Sequence, residues 1–199
     1  MSLWHGDPLI LASKSEVRRK LLEAAAIPVA IDPADIDERG IEARHSGLGP
    51  ADAALLLARE KALATARSRR GFVLGADQTL ALGERRFSKP DGRTTAREQI
   101  KALAGQTHVL NSAAAIADGG KIVFEVVSTA RLTMRHLSDE SLDAYLDAAG
   151  VRVTTSVGAY QLEGLGVHLF EKIDGDHFTV LGLPLLKLLG FFRETGRLS

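Results

Sequence analysis

The chain has 199 residues, 25 basic and 25 acidic side chains, 45% hydrophobic residues and no cysteine. That length fits one domain with a sizeable core, and the composition excludes a disordered or fibrous chain. Zero net charge removes the broad positive field on which nucleic-acid binders rely, and zero cysteine removes disulfides, thiolate nucleophiles, iron–sulfur clusters and cysteine zinc sites.

In chain order, Pro8 to Ala12 reads as a strand, and Ser15 to Ala26 as a helix with Val17, Leu21, Leu22 and Ala25 on one face. A polar loop, Asp32 to Pro50, leads to an Ala/Leu-rich helix from Ala51 to Arg67. Phe72 to Ala76 reads as a buried strand ending at Asp77, and Thr79 to Leu82 with Arg86 to Phe87 as a hairpin around Gly83-Glu84. Thr94 or Thr95 with Glu98 caps a helix that stops at Gly105. Two long strands follow, Thr107 to Ala117 and Lys121 to Met134, separated by the turn Asp118-Gly119-Gly120 and so expected antiparallel. Ser138 caps a helix carrying Leu142, Tyr145, Leu146 and Ala149, which Gly150 ends. Val167 to Ile173 reads as a strand, Asp174-Gly175-Asp176 as a turn, and a last helix starts at Pro184. The pattern predicts one mixed α/β domain over residues 1–199, with room for a small lobe from the central hairpin.

No basic segment precedes the short apolar run LILA, which predicts no secretory signal and a cytoplasmic location. No apolar stretch reaches the ~20 residues of a membrane span.

Several residues could carry chemistry. Ser13, Ser15, Arg18 and Arg19 stand where a strand turns into a helix, a setting that holds phosphate through free N–H groups and arginine. As ordinary structure, Ser13 and Glu16 form a capping box there. Asp77, at the carboxyl end of a buried strand, is placed for a general base or metal ligand, or equally for a turn aspartate. Glu38 lies in an acidic run that can offer oxygen ligands to Mg²⁺ or Mn²⁺, although such runs are commonly solvated loops. Lys61 and Lys89 are point charges suited to phosphate, and each alone is ordinary for a surface lysine. Neither a GxxxxGK[ST] loop, an HExxH pair nor a GxSxG elbow occurs. The glycine-dense run Gly158 to Gly166, around Tyr160 and Glu163, suits either backbone approaching a flat ligand or plain turns; Leu169 in the last glycine place rejects a dinucleotide fingerprint.

Together these segments resemble the Maf family of nucleoside triphosphate pyrophosphatases, long called septum formation inhibitors. The matching pieces run in order over nearly the whole chain: Leu11-Ala12-Ser13-x-Ser15 with Arg18 and Leu21-Leu22, Asp37-Glu38, Ala58-x-x-Lys61-Ala62, Gly75-Ala76-Asp77, Lys89-Pro90, Leu103-x-Gly105-x-Thr107-His108, the 158–166 glycines, and Gly182-Leu183-Pro184. The resemblance implies a mixed, partly antiparallel, elongated sheet flanked by helices around a central cleft, similar to inosine triphosphate pyrophosphatases. It implies hydrolysis of the α–β phosphoanhydride with a divalent cation, Asp77 activating water or holding metal with Glu38, and Ser13, Arg18, Lys61 and Lys89 as further active-site groups. It also implies a homodimer.

The subgroup acting on dTTP and UTP carries Pro-Arg-Arg after the second serine, threonine after the catalytic aspartate and glutamine among the glycines. Here those places hold Glu16-Val17-Arg18, Gln78 and Glu163, closer to the subgroup that prefers 7-methyl-GTP. A carboxylate at Glu163 can accept from guanine N1–H and the 2-amino group. Val17, Gln78 and Glu163 thus join Ser13 and Arg18 as expected substrate contacts. Two other readings stand beside this one: a nucleotide-binding regulator of cell division acting through a protein partner, and a nucleic-acid binder, which the balanced charge and 5% aromatic content disfavour.

Overall fold

Small residues decide how closely the elements stack. In the computed structural model, which describes residues 3–199, the order is β1 (Leu9–Leu11), α1 (Glu16–Ala24), β2 (Val29–Ile31), α2 (Glu38–Arg44), α3 (Pro50–Ala66), β3 (Val73–Leu82), β4 (Arg85–Phe87), α4 (Arg93–Leu103), β5 (Thr107–Asp118) and β6 (Lys121–Met134). Then come α5 (Asp139–Ala149), 3₁₀ turns at Gly150–Thr154, Val157–Ala159 and Leu165–Leu169, β7 (Phe170–Asp174), α6 (His177–Val180) and α7 (Leu185–Glu194). The strands form one mixed sheet of seven, ordered β2-β1-β3-β5-β6-β7 with β4 on β3. β1 runs parallel to β2 and β3, while β4 on β3 and β7 on β6 are antiparallel. The two-residue turn Gly119-Gly120, both at positive φ, joins the neighbours β5 and β6 and makes them antiparallel as well. Among the described residues, no helix is long and apolar enough to cross a membrane.

The chain packs as two compact units. The first comprises the residues up to Gln78, Asn111–Ser128 and His177–Ser199; the second comprises Thr79–Leu110 and Thr129–Asp176. In the first, strand alternation sorts two cores. Ala113, Ala115 and Ala117 of β5 and Val73 of β3 pack with the α3 stripe Ala54, Ala58, Ala62 and Ala66. The intervening Ala114, Ile116, Leu74 and Ala76 join Leu22 of α1 and Leu185, Leu188, Phe191 and Phe192 of α7. Gly75 fixes the spacing on the α3 side: a Cβ there would lie 2.0 Å from the Ala58 carbonyl oxygen and 2.6 Å from the Ala62 nitrogen. Only glycine lets the two backbones come this close.

In the second unit, α4 and α5 bury Ala96, Ile100, Leu103, Leu142 and Leu146, and they are joined by ion pairs at helical spacing. His108 is fully buried, its Nε2 sharing a 2.8 Å hydrogen bond with the Tyr160 hydroxyl, and Tyr160 meets Phe170 edge-on at 4.7 Å. Burial pushes the His108 imidazole down to about 4 and the Tyr145 phenol up to about 12.

Several sequence expectations are corrected. Asp77 does not end a strand: β3 runs on through Gln78 to Leu82, because the half-buried Asp77-Gln78 pair finds polar partners and Leu80-Ala81 resumes the buried pattern. The polar segment 32–50 contains α2, whose N-cap Asp37 accepts from the Gly40 amide at 2.9 Å. At α1 the N-cap is Ser15, which accepts from the Arg18 amide, so Ser13 and Glu16 form no capping box. Gly92 precedes α4 without a side-chain cap, and Thr95 bonds Asp91 instead. Residues 165–169 form a 3₁₀ turn before β7, because Gly164 and Gly166 fold back on the Gln161 carbonyl.

Candidate functional site

Within the first unit, α3 lies against β3 at Gly75, two residues from Asp77 and on the same side of the strand. The consequence is an ion pair almost out of water. Lys61 Nζ donates to Asp77 Oδ1 at 2.6 Å and also lies 3.0 Å from Glu38 Oε1. The lysine and aspartate side chains are only 11% and 14% exposed, whereas that of Glu38 is 50% exposed at the start of α2. One ammonium thus holds two carboxylates from different elements, and one of them remains open to solvent.

Arg18, on α1, is bound chiefly by backbone oxygens. Its Nε donates to the Gly182 carbonyl at 2.9 Å, and its Nη1 to the Ala76 carbonyl at 2.8 Å and to Ser13 Oγ at 3.4 Å. Burial lowers its pKa, while the charges of Asp77 and Glu38 act to hold the proton on. Ser13 Oγ also accepts from the Ser15 amide at 3.2 Å, ordering the turn into α1. A hollow beside that turn is lined by Ser13, Lys14, Ser15, Glu16, Arg19 and Ile31.

Gln78, next along β3, faces the opposite side from Asp77. Its amide nitrogen shares two N–H groups among three acceptors, Ser112 Oγ at 2.9 Å and the Thr179 and Val180 carbonyls, each at 3.1 Å.

Six sequence-predicted residues, Ser13, Arg18, Glu38, Lys61, Asp77 and Gln78, therefore belong to the first unit, and Val17 is half-buried there on α1. Lys89 and Glu163 belong to the second unit: Lys89 is exposed in the loop after β4, and Glu163 is exposed in the turn before residues 165–169. Sequence reasoning missed Ser112, Thr179 and the Ala76 carbonyl. Nothing marks a serine inside an apolar strand or a backbone oxygen as a partner until the chain is folded.

A family model described as Maf-like protein matches residues 8–195. The chain belongs to the Maf family. This Maf chain is 62% identical over 196 residues to a nucleoside triphosphate pyrophosphatase of Bradyrhizobium diazoefficiens, covering 98% of this chain and 97% of the relative. It is 48% identical over 194 residues to a 7-methyl-GTP pyrophosphatase of Rhizobium etli, covering 96% and 98% respectively. A HAM1 protein structure from Coxiella burnetii shares the fold, with a TM-score of 0.50 at 13% identity over 94% of this chain and 98% of that one.

Whether the Maf site fits a divalent cation rests on its donors. Among the described residues, no group of three or more His, Cys, Asp or Glu side chains is arranged for metal. Magnesium, however, is commonly bound through one or two carboxylates, with water and substrate phosphates completing the shell. Glu38 and Asp77 are two such carboxylates, both within reach of one ammonium.

Proposed function

We propose that this chain, a nucleoside triphosphate pyrophosphatase, cleaves the α–β phosphoanhydride of 7-methyl-GTP or a related modified nucleotide in the cytoplasm, as a homodimer. Water attacks the α-phosphorus, the bridging P–O bond breaks, and nucleoside monophosphate and pyrophosphate leave. The observation that carries this reading is the Lys61 ammonium held between the Asp77 and Glu38 carboxylates.

Asp77, fixed by Lys61, orients the attacking water and accepts its proton. Lys61 is positive beside the reacting phosphate and counters negative charge that grows in the transition state. Arg18 has its Nε and Nη1 bound to backbone oxygens and adds positive charge at a fixed place without needing to reorganise. A Mg²⁺ or Mn²⁺ ion bound by Glu38 and Asp77 would supply Lewis-acid polarisation of the phosphates. Lys89 is assigned to the phosphates and Glu163 to the base, where its carboxylate accepts guanine N–H groups. The name of the Rhizobium etli relative supports the 7-methyl-GTP assignment over dTTP or UTP.

The test is pyrophosphate release from 7-methyl-GTP, GTP, dTTP, UTP, CTP and ITP with Mg²⁺ or Mn²⁺, in wild type and Asp77→Asn. The expected result is fastest turnover of 7-methyl-GTP, loss of turnover in EDTA, and a fall of about a thousandfold in the variant. Preference for dTTP or UTP would keep the reaction and overturn the base assignment. An Asp77→Asn enzyme with wild-type kcat would remove that residue from the chemistry.

A further inference from the structure

Asp77 and Gln78 are neighbours in sequence, yet their surroundings differ because β3 sends them to opposite sides. On the Gln78 side, Ser112 of β5 and residues 179–180 at the end of α6 form a closed set of acceptors. The Thr179 and Val180 carbonyls can only accept. Ser112 donates its hydroxyl proton to the Thr179 carbonyl at 2.7 Å, so its oxygen also meets Gln78 as an acceptor. A flipped Gln78 amide would set its carbonyl oxygen against three acceptors; the network itself fixes the orientation. Oε1 is then the one amide atom that this network does not use.

Gly182 shows where that atom sits. A Cβ built on Gly182 would lie 3.5 Å from Gln78 Oε1 and 3.6 Å from both Arg18 Nε and Nη2. A carbonyl oxygen and a guanidinium therefore border the same bare glycine face, whose φ of +91° suits glycine.

We infer that Ser112 is a positioning residue for substrate binding. By holding the Gln78 amide nitrogen inward, it presents Oε1 beside Arg18 as an acceptor for an N–H donor of the nucleotide base. This rests on the nucleoside triphosphate reading above. Because Ser112 acts through Gln78, on the face of β3 away from Asp77, its effect belongs to KM and leaves kcat in place.

Steady-state kinetics with 7-methyl-GTP test this in a double-mutant cycle, after wild-type turnover has been established. Ser112→Ala is expected to raise KM about tenfold with kcat within a factor of two, and Gln78→Ala to raise it at least as much. The double variant should be no worse than Gln78→Ala alone, because the serine has nothing left to position. Ser112→Thr, which keeps the hydroxyl, should restore most of the affinity. An unchanged KM in Ser112→Ala, with or without a lower melting temperature, would overturn the inference. So would a further tenfold loss when Ser112→Ala is added to Gln78→Ala. Wild-type protein inactive on every nucleotide would overturn the reading of function, and this inference with it.

Discussion

Each unit carries a cluster of charges, and the two clusters are built on opposite terms. In the second unit, Arg93, Arg97 and Lys101 of α4 face Asp139, Asp143 and Asp147 of α5, each row spaced four residues apart. Three cations meet three anions in solvent, and Arg97 alone bonds both Asp139 and Asp143. In the first unit, one lysine almost out of water meets two carboxylates, with a half-buried arginine nearby. The exposed cluster is matched and screened, so its contribution to stability is small and salt-dependent. The buried cluster is crowded and leaves one carboxylate open, an arrangement suited to a polyanionic substrate and a cation.

Removing Lys61 is the strongest way to break this contrast. Lys61→Ala leaves Asp77 buried beside Glu38 with no cation between them, which should destabilise the fold by roughly 3–5 kcal/mol and reduce turnover more than a hundredfold. Lys61→Arg should not restore activity, since a planar fork cannot take the place of a compact ammonium packed against β3. Urea unfolding and pyrophosphate release measure the two effects. Equal stability for wild type and Lys61→Ala would mean that the buried cluster is no more demanding than the exposed one.

The second unit has a buried titratable group of its own, and pH sharpens the comparison there. His108 stays neutral in the fold down to about 4, whereas an unfolded histidine takes up a proton near 6.5. Between those values the unfolded chain binds more protons, so stability rises with pH across that window. This contribution, on the order of 3 kcal/mol, is complete above pH 6.5 and is lost as pH falls toward 4. His108→Gln should flatten unfolding free energy against pH between 4 and 6.5; an unchanged slope would assign it to another group. Lowered carboxyl pKa values at Glu125, Asp139 and Asp143, caused first by hydrogen bonds from Arg59, Lys101 and Arg97 respectively, act in the same direction at lower pH.

The smallest effect belongs to the exposed ion pairs. Arg97→Ala should lower the melting temperature slightly at low salt, make no difference in 1 M NaCl, and leave kcat and KM unchanged. A large loss of activity would show that the α4–α5 pairs do more than hold two helices.

Much of the candidate site is legible in the sequence: residue type, spacing and resemblance single out Ser13, Arg18, Glu38, Lys61 and Asp77, and all five lie in one unit. Most elements were legible too, since apolar periodicity marks a buried face. Some misread segments are those where polar side chains sit inside regular structure, as at Asp77-Gln78 in β3 and at α2 in the acidic run. Local pattern treats such residues as breaks, whereas the fold supplies them with partners.

By itself, the sequence determined the alternating α/β order, the balanced charge, the absence of thiol chemistry and the family. The tertiary structure decided the rest: that Gly75 brings α3 close enough for Lys61 to reach Asp77, that Arg18 is held by the Ala76 and Gly182 carbonyls, and that Ser112 reaches Gln78. Each of those contacts joins residues brought together by stacking and strand pairing, and two end on backbone oxygens that every residue possesses. Periodicity says which face of an element is buried; only the packed chain says what that face meets.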